Sequence, residues 1–302
     1  PSRKLAAEIE FLEPDAIIYT SPLSLAIADR ARDFVLFRKV YVYNTDVFDC
    51  HARWRSTKCC VYLCASPKRS VSPHPNSIAV AFPNRYASSE EPNISELPKW
   101  DQEQIQRPSS LLFMAGGEGI GIDQDLIEEC TKLPATKVVV VCARNTKQLQ
   151  ALISLRIEKG LSNLELHGYV KELPEIIGQA DVVVGKSGVN TIFECISLGT
   201  PMILTNFLKN EETAFRYVVD NGFGWNATDK DNRLSLIQNL LTNLGILSEA
   251  SLLMAKEHQL NLERPSVLGA MLRDLPSTCV GKSERKAEDP DSIYKKSIAE
   301  KR

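Results

Sequence analysis

Apolar residues along this chain fall into short blocks separated by polar, helix-patterned stretches, and the alternation predicts a parallel α/β protein. Residues 3–13 carry the spacing of an amphipathic helix. Ala16 to Tyr19 reads as a strand after Pro14-Asp15, and Thr20-Ser21-Pro22 turns into a helix reaching about Arg32. Further strands are expected at Lys39–Tyr43, Cys59–Cys64 and Ser77–Phe82. From Asn84 to Ser110, Ser, Glu, Pro, Asn and Gln dominate and no long apolar period survives, as in an interdomain connection. A second series opens with a strand at Leu111–Ala115. Helices at about 123–132, 148–159 and 172–179 then alternate with strands at 137–142 and 164–167. After the segment beginning at Asp181, a strand is expected at Met202–Thr205 and helices at 211–221 and 234–244. The expected organisation is a first domain over 1–85, a linker over 86–110, a second domain over 111–276 and a disordered, mixed-charge tail over 277–302.

The length of 302 residues suits two domains of roughly 150 residues. A net charge of −2 without a basic stripe argues against nucleic acid as a partner. No apolar run approaches the ~20 residues of a membrane span, and no signal peptide is visible. The chain starts at Pro1 and opens directly on a helix-like segment, so natural sequence is expected before it. Its eight cysteines are scattered, which favours a reducing compartment. Cys50, His51, Cys59, Cys60 and Cys64 are close in sequence, and Cys60-x₃-Cys64 has knuckle spacing. The apolar Val61-Tyr62-Leu63 between the last two favours buried strand cysteines over a metal site.

The run DVVVGKSGVNTIFECISLGTP, Asp181 to Pro201, is the most informative segment. Val182 to Val184 form a β-branched strand, Gly185-Lys186-Ser187-Gly188 a tight turn, and Asn190 to Leu198 a helix closed by Gly199-Thr200-Pro201. Free amides and the positive end of the helix dipole then lie where an anion could sit. Glu194, one turn into the helix, is within reach of ligand hydroxyls. A phosphate site beside a ribose-binding carboxylate is a nucleotide-sugar reading; an ordinary βα unit with a solvated Glu is the alternative.

Gly117-Glu118-Gly119-Ile120-Gly121 also lies between a strand and a helix, but it departs from G-x-G-x-x-G. The next strand ends in Cys142-Ala143-Arg144 without an acidic residue. A dehydrogenase loses both usual marks, although Arg144 could serve a 2′-phosphate in an NADP enzyme. The loops at Gly116–Gly121, Arg144-Asn145, Gly168-Tyr169-Val170 and Gly185–Gly188 all follow strands, so a parallel sheet gathers them at its carboxyl edge.

LLFMAGGEGIG, VVVVCARN, HGYVKELPEIIGQADVVVGKSGVNTIFECISLGTPMIL and NEETAFRYVVDNGFG, in that order, resemble the carboxyl-terminal domain of monogalactosyldiacylglycerol synthases. More distantly they are similar to the bacterial lipid II N-acetylglucosaminyltransferase. EPDAIIYTSPLSLAIA, YVYNTDVFDCHARW, CCVYLCAS and IAVAFPNR resemble the later part of the amino-terminal domain, where Thr45, Asp46, Cys50, His51 and Trp54 match a T-D-x-x-x-C-H-x-x-W run.

The resemblance implies a GT-B fold of two Rossmann-like domains with parallel sheets, the amino-terminal one incomplete, and inverting transfer of a hexose from a UDP-sugar to diacylglycerol. It implies that Gly116, Gly117, Glu118 and Gly119 face the diphosphate and that Gly168, Tyr169 and Val170 contact the uracil. Ser187 and Gly188 would cap the phosphate-facing helix beside Thr191, Glu194 would hold the ribose, and Asn210 and Glu211 would read the sugar. Arg144 and Lys186 are candidates for the leaving diphosphate, and Asp46 and His51 for the general base. No cofactor or metal is expected beyond the UDP-sugar substrate. The implied setting is a peripheral membrane surface, a plastid envelope if the source is photosynthetic. Phe34–Arg38 and Ala52–Lys58 set basic residues beside aromatics.

The chain departs from the pattern where Asn210 replaces Gln, where Val189-Asn190 replaces Pro-Gly, and where Ser21-Pro22 replaces His-Pro. The glycine-rich Gly-His loop that carries the family's proposed base is not among these residues. A nucleotide-sugar-binding subunit inactive on its own is therefore the second reading, and a UDP-GlcNAc transferase or epimerase a third.

Overall fold

The computed structural model describes residues 1–31, 33–35, 39–44, 61–65, 77–82, 108–114, 116–119 and 121–274, apart from the side chains of Pro22, Leu23 and Asn210. The first unit runs α1 (Ser2–Leu12), β1 (Ile17–Tyr19), α2 (Pro22–Ala31), β2 (Val40–Asn44), β3 (Val61–Cys64) and β4 (Ser77–Ala79). Its strands form one sheet in the order β1-β2-β3-β4, every pair parallel. β2, Val-Tyr-Val-Tyr-Asn, is buried along its whole length, as expected of a parallel strand. Cys64 is buried within β3, whereas Cys50, His51, Cys59 and Cys60 lie outside the described residues.

The second unit begins with β5 (Ser109–Met114), α3 (Gln124–Thr131), β6 (Thr136–Val141), α4 (Thr146–Lys159), β7 (Leu164–His167) and α5 (Leu173–Gln179). It continues through β8 (Val182–Lys186), α6 (Val189–Leu198), β9 (Met202–Asn206), a 3₁₀ turn at Lys209–Glu211, α7 (Glu212–Asp220) and β10 (Gly224–Asn226). Three helices follow: α8 (Arg233–Thr242), α9 (Leu244–Leu262) and α10 (Val267–Asp274). The sheet order is β10-β9-β8-β5-β6-β7, all parallel. The order reverses between β5 and β8, and that switch point opens a crevice at the carboxyl ends of the two strands.

Local chemistry fixes the helix ends. Asp123 caps α3 by accepting from the Leu126 amide at 3.2 Å, and Asn145 caps α4 by accepting from the Gln148 amide at 3.0 Å. Gly160 and Gly199 close α4 and α6 in the left-handed conformation, at φ 64° and 60°.

β10, α9 and α10 are elements the hydrophobic pattern does not announce. β10 has three residues, and the apolar residues of the 19-residue α9 are spread around its circumference. The expected turn at Gly185–Gly188 is shorter than its sequence suggests, because Gly185 and Lys186 belong to β8. A side chain at Gly185 would run into the Met114 carbonyl of the neighbouring β5, so this glycine serves strand packing rather than a turn. The expected linker overlaps β5, which starts at Ser109; residues 86–107 and 277–302 lie outside the described residues.

One hydrophobic core continues from the first sheet, through Tyr41, Leu63 and Val80, into the face of the second that carries Leu112 and Val183 and on to Phe193 of α6. Backbone bonds reinforce the junction. The Ala81 amide donates to the Pro265 carbonyl at 2.8 Å and the Phe82 amide to Asn261 Oδ1 at 2.9 Å. α10 follows the second unit in the chain but touches the first. Tyr41 donates to the Met271 carbonyl at 3.2 Å and to Asp274 Oδ2 at 3.0 Å, and Lys39 Nζ lies 2.8 Å from Asp274. Burial, with help from Asp274, pushes the Tyr41 hydroxyl up to about 12. The hydrogen bond from Lys39 holds the Asp274 carboxyl below its ordinary value.

Candidate functional site

The crevice at the switch point is a cleft of about 560 Å³. β5 delivers Met114 and β8 delivers Lys186 to its floor, while the turn after β5 brings Gly116 and Gly117. The start of α6 brings Gly188, Thr191 and Glu194, and the loop after β7 brings Tyr169 and Val170. Phe82, from the end of the first unit, closes the far side by stacking on Phe193, with ring centroids 3.9 Å apart and planes 12° from parallel.

The glycine turn is rigidly held. Gly116 and Gly119 have φ of +68° and +59°, a region costly for any residue with a Cβ. The Gly119 amide donates to the Gly116 carbonyl at 3.1 Å, and Asn145 Nδ2 donates to the Gly119 carbonyl at 3.0 Å. Asn145 thus caps α4 with one end of its amide and anchors the turn with the other. Gly117 has open space around it, enough for a ligand to approach the backbone. Ala143, on the cleft wall, is left-handed at φ 49° without being glycine, a strained conformation of the kind that gathers at functional sites.

Opposite this turn, Gly188 caps α6 with no side-chain acceptor. The first-turn amides, at cleft-lining positions, are therefore available to an anion. Lys186 joins the two walls. A Cβ placed on Gly116 would sit 3.6 Å from its Cε, and one on Gly188 would sit 3.9 Å from the same atom. The lysine stem thus runs between two glycines and carries a cation into the centre of an amide-lined cleft. Its Nζ lies 2.7 Å from Glu211 Oε1.

Of the residues singled out from the sequence, Gly116, Gly117, Tyr169, Val170, Lys186, Gly188, Thr191 and Glu194 line this one cleft. Several others are placed elsewhere. Ser187 is fully buried and does not cap α6, because its hydroxyl donates to the Glu211 carbonyl at 3.3 Å. Gly119 is buried beneath the turn, where a side chain would meet the Cys142 carbonyl. Gly168 packs against Leu149 rather than facing the cleft. Glu118 and Arg144 are exposed and pair with each other at 3.4 Å, with the Arg144 guanidinium 5.9 Å from the Tyr169 ring centroid. Arg144 therefore stands at the rim, not at the floor. Glu211 faces Lys186 rather than the open cleft. Asp46, His51 and the side chain of Asn210 lie outside the described residues. Sequence reasoning missed Phe82 as a wall. Its place just after a short strand, before a long polar stretch, gives no sign that the chain returns there to α6.

Residues 111–264 match the glycosyltransferase family 28 C-terminal domain. The probable chloroplastic monogalactosyldiacylglycerol synthase of Nicotiana tabacum is 26% identical over 296 residues, covering 91% of this chain and 53% of that protein. The chain thus spans about half the length of the curated relatives it matches. Among solved structures, Acinetobacter baumannii MurG superposes with a TM-score of 0.61 at 14% identity, covering 91% of this chain and 77% of that one. The spinosyn rhamnosyltransferase SpnG, complexed with thymidine diphosphate, superposes with a TM-score of 0.56 at 14% identity, covering 90% and 75%. These likenesses establish the fold as GT-B, and through the match over its second unit the chain belongs to glycosyltransferase family 28.

Proposed function

We propose that the cleft binds a UDP-sugar and that the protein transfers its hexose, galactose, to the hydroxyl of diacylglycerol with inversion. The observation that carries this reading is the convergence of Gly117, Lys186, the α6 amides and Glu194 on one cleft, at the switch point of a family 28 domain. The glycine turn and the α6 amides hold the diphosphate, Glu194 takes the ribose hydroxyls, and the Tyr169-Val170 loop flanks the uracil. Hydrogen bonds to a charged group contribute roughly 1.5–3 kcal/mol each, so Glu194 supplies a large share of nucleoside affinity. A relative bearing the monogalactosyldiacylglycerol synthase name supports galactose and diacylglycerol, and a neighbour holding thymidine diphosphate supports the nucleotide.

In this reaction the acceptor oxygen forms a bond to the anomeric carbon while the bond to the diphosphate breaks. UDP leaves with the electron pair, and the acceptor proton passes to a base, for which Asp46 and His51 are the candidates. Lys186 and the helix amides stabilise the charge growing on the leaving diphosphate. The donor is a substrate, and we assign no resident cofactor or metal. No helix among the described residues is long and apolar enough to cross a membrane. We place the protein at a membrane surface that supplies the lipid, the plastid envelope in a photosynthetic source.

The test is transfer of radiolabelled sugar from UDP-galactose, UDP-glucose and UDP-GlcNAc to diacylglycerol in mixed micelles. The reading expects a galactolipid product. UDP binding without transfer from any donor would instead mark a binding subunit that needs a partner.

A further inference from the structure

The family resemblance gives Glu211 a sugar-reading role, but in the structure both its carboxylate oxygens are engaged. Oε1 accepts from Lys186 Nζ at 2.7 Å, and Oε2 accepts from the Leu208 amide at 3.1 Å. Its own carbonyl accepts from the buried Ser187 hydroxyl. The ion pair is largely removed from water, with side chains 23% and 11% exposed, so the charges act on one another and on any ligand with little screening.

We infer that Glu211 is an internal counter-anion for Lys186, competing with the diphosphate of the donor for the ammonium and tuning how tightly UDP is held. This inference rests on the UDP-sugar reading above. An ammonium on a flexible four-carbon stem has three donors and can swing between acceptors. A diphosphate seated between Gly117 and the α6 amides draws it from Glu211. The Leu208 amide keeps the carboxylate in place beside the ammonium's other acceptor. Throughout, the carboxylate competes for the ammonium and limits how tightly the diphosphate is gripped. Glu211 is thus a positioning residue that acts through Lys186 on the leaving group.

The test is calorimetric titration of the full chain with UDP and with uridine, comparing wild type, Glu211→Gln and the Lys186→Met/Glu211→Gln double variant, with each fold checked by thermal melting. Glu211→Gln keeps the shape of the side chain and removes its charge. The expected result is UDP affinity raised about tenfold, corresponding to ~1.4 kcal/mol, with uridine affinity unchanged. The gain disappears in the double variant, which has no ammonium to release. A merely structural glutamate would not raise diphosphate affinity when removed. Unchanged or weaker UDP binding by folded Glu211→Gln overturns this inference alone, as does a gain that persists without Lys186. Failure of the wild type to bind UDP overturns the donor-site reading and this inference with it.

Discussion

Phe82 lies flat on Phe193, ring centroids 3.9 Å apart, and this stack joins the last described segment of the first unit to the helix whose start lines the cleft. Phe193 is 5% exposed within the continuous core, whereas Phe82 is partly exposed on the cleft wall. The two rings should answer differently to truncation. Phe193→Ala leaves a cavity and is expected to cost about 3–5 kcal/mol of stability. Phe82→Ala loses mainly the aromatic pairing and some buried area, about 0.5–1.5 kcal/mol for the pairing. Urea denaturation of the two variants checks the order.

The glycine turn separates two roles that a motif alone merges. Gly119 is left-handed and faces the Cys142 carbonyl, so Gly119→Ala combines backbone strain of roughly 1–2 kcal/mol with a clash that moves β6 or the turn. Gly117 has no neighbour in the space a methyl would fill, so Gly117→Ala should leave stability within about 0.5 kcal/mol of wild type. It should nevertheless weaken UDP binding, because the methyl stands where the proposed diphosphate site approaches the backbone. Thermal melting and UDP titration together distinguish the two.

Docking of α10 on the first sheet carries a pH signature. The Asp274 carboxyl is held below its ordinary value by Lys39, so the folded state favours the ionised form more than the unfolded chain does. The stabilisation is complete above the unfolded value of about 3.9 and fades as pH falls through the lower folded value. Wild type should therefore exceed Asp274→Asn in urea midpoint at pH 7, and the difference should shrink below about pH 4.

Ser187 offers a narrower check. Its buried hydroxyl joins the β8–α6 turn to the carbonyl of Glu211, and Ser187→Ala should cost about 0.5–1.5 kcal/mol. Because the hydroxyl does not face the cleft, UDP affinity should change less than twofold. A large loss of UDP affinity with stability intact would return Ser187 to the binding surface.

Much of the second unit was legible because its signals are local. Val138 to Val141 and Val182 to Val184 are β-branched runs that only a buried parallel strand uses well, and Gly199 marks a helix end by its own chemistry. The strand-to-helix turns by themselves place Gly117, Gly188 and Glu194 on one edge of the sheet. What the sequence concealed depends on distant partners. Gly185 looks like a turn residue until Met114 is seen beside it. Ser187 looks like a helix cap until the Glu211 carbonyl, 24 positions away, is found accepting its hydrogen bond. The same return of the chain determines the state of Lys186, and neither spacing nor composition announces it. α10 belongs to the second unit by position and to the first by contact, through Tyr41 and Lys39, residues more than 200 positions earlier.

Glu194 carries the central claim, since in the proposed reading it is the carboxylate that turns an anion-binding edge into a nucleotide site. The direct measurement is calorimetric titration of UDP into wild type and Glu194→Ala, with NADPH as a control ligand. Binding by wild type, weakened about 10- to 100-fold in a variant that melts normally, is the expected result, matching the loss of about one charge-assisted hydrogen bond. UDP affinity unaffected by the substitution, or NADPH bound in its place, would contradict the assignment of this cleft to a UDP-sugar.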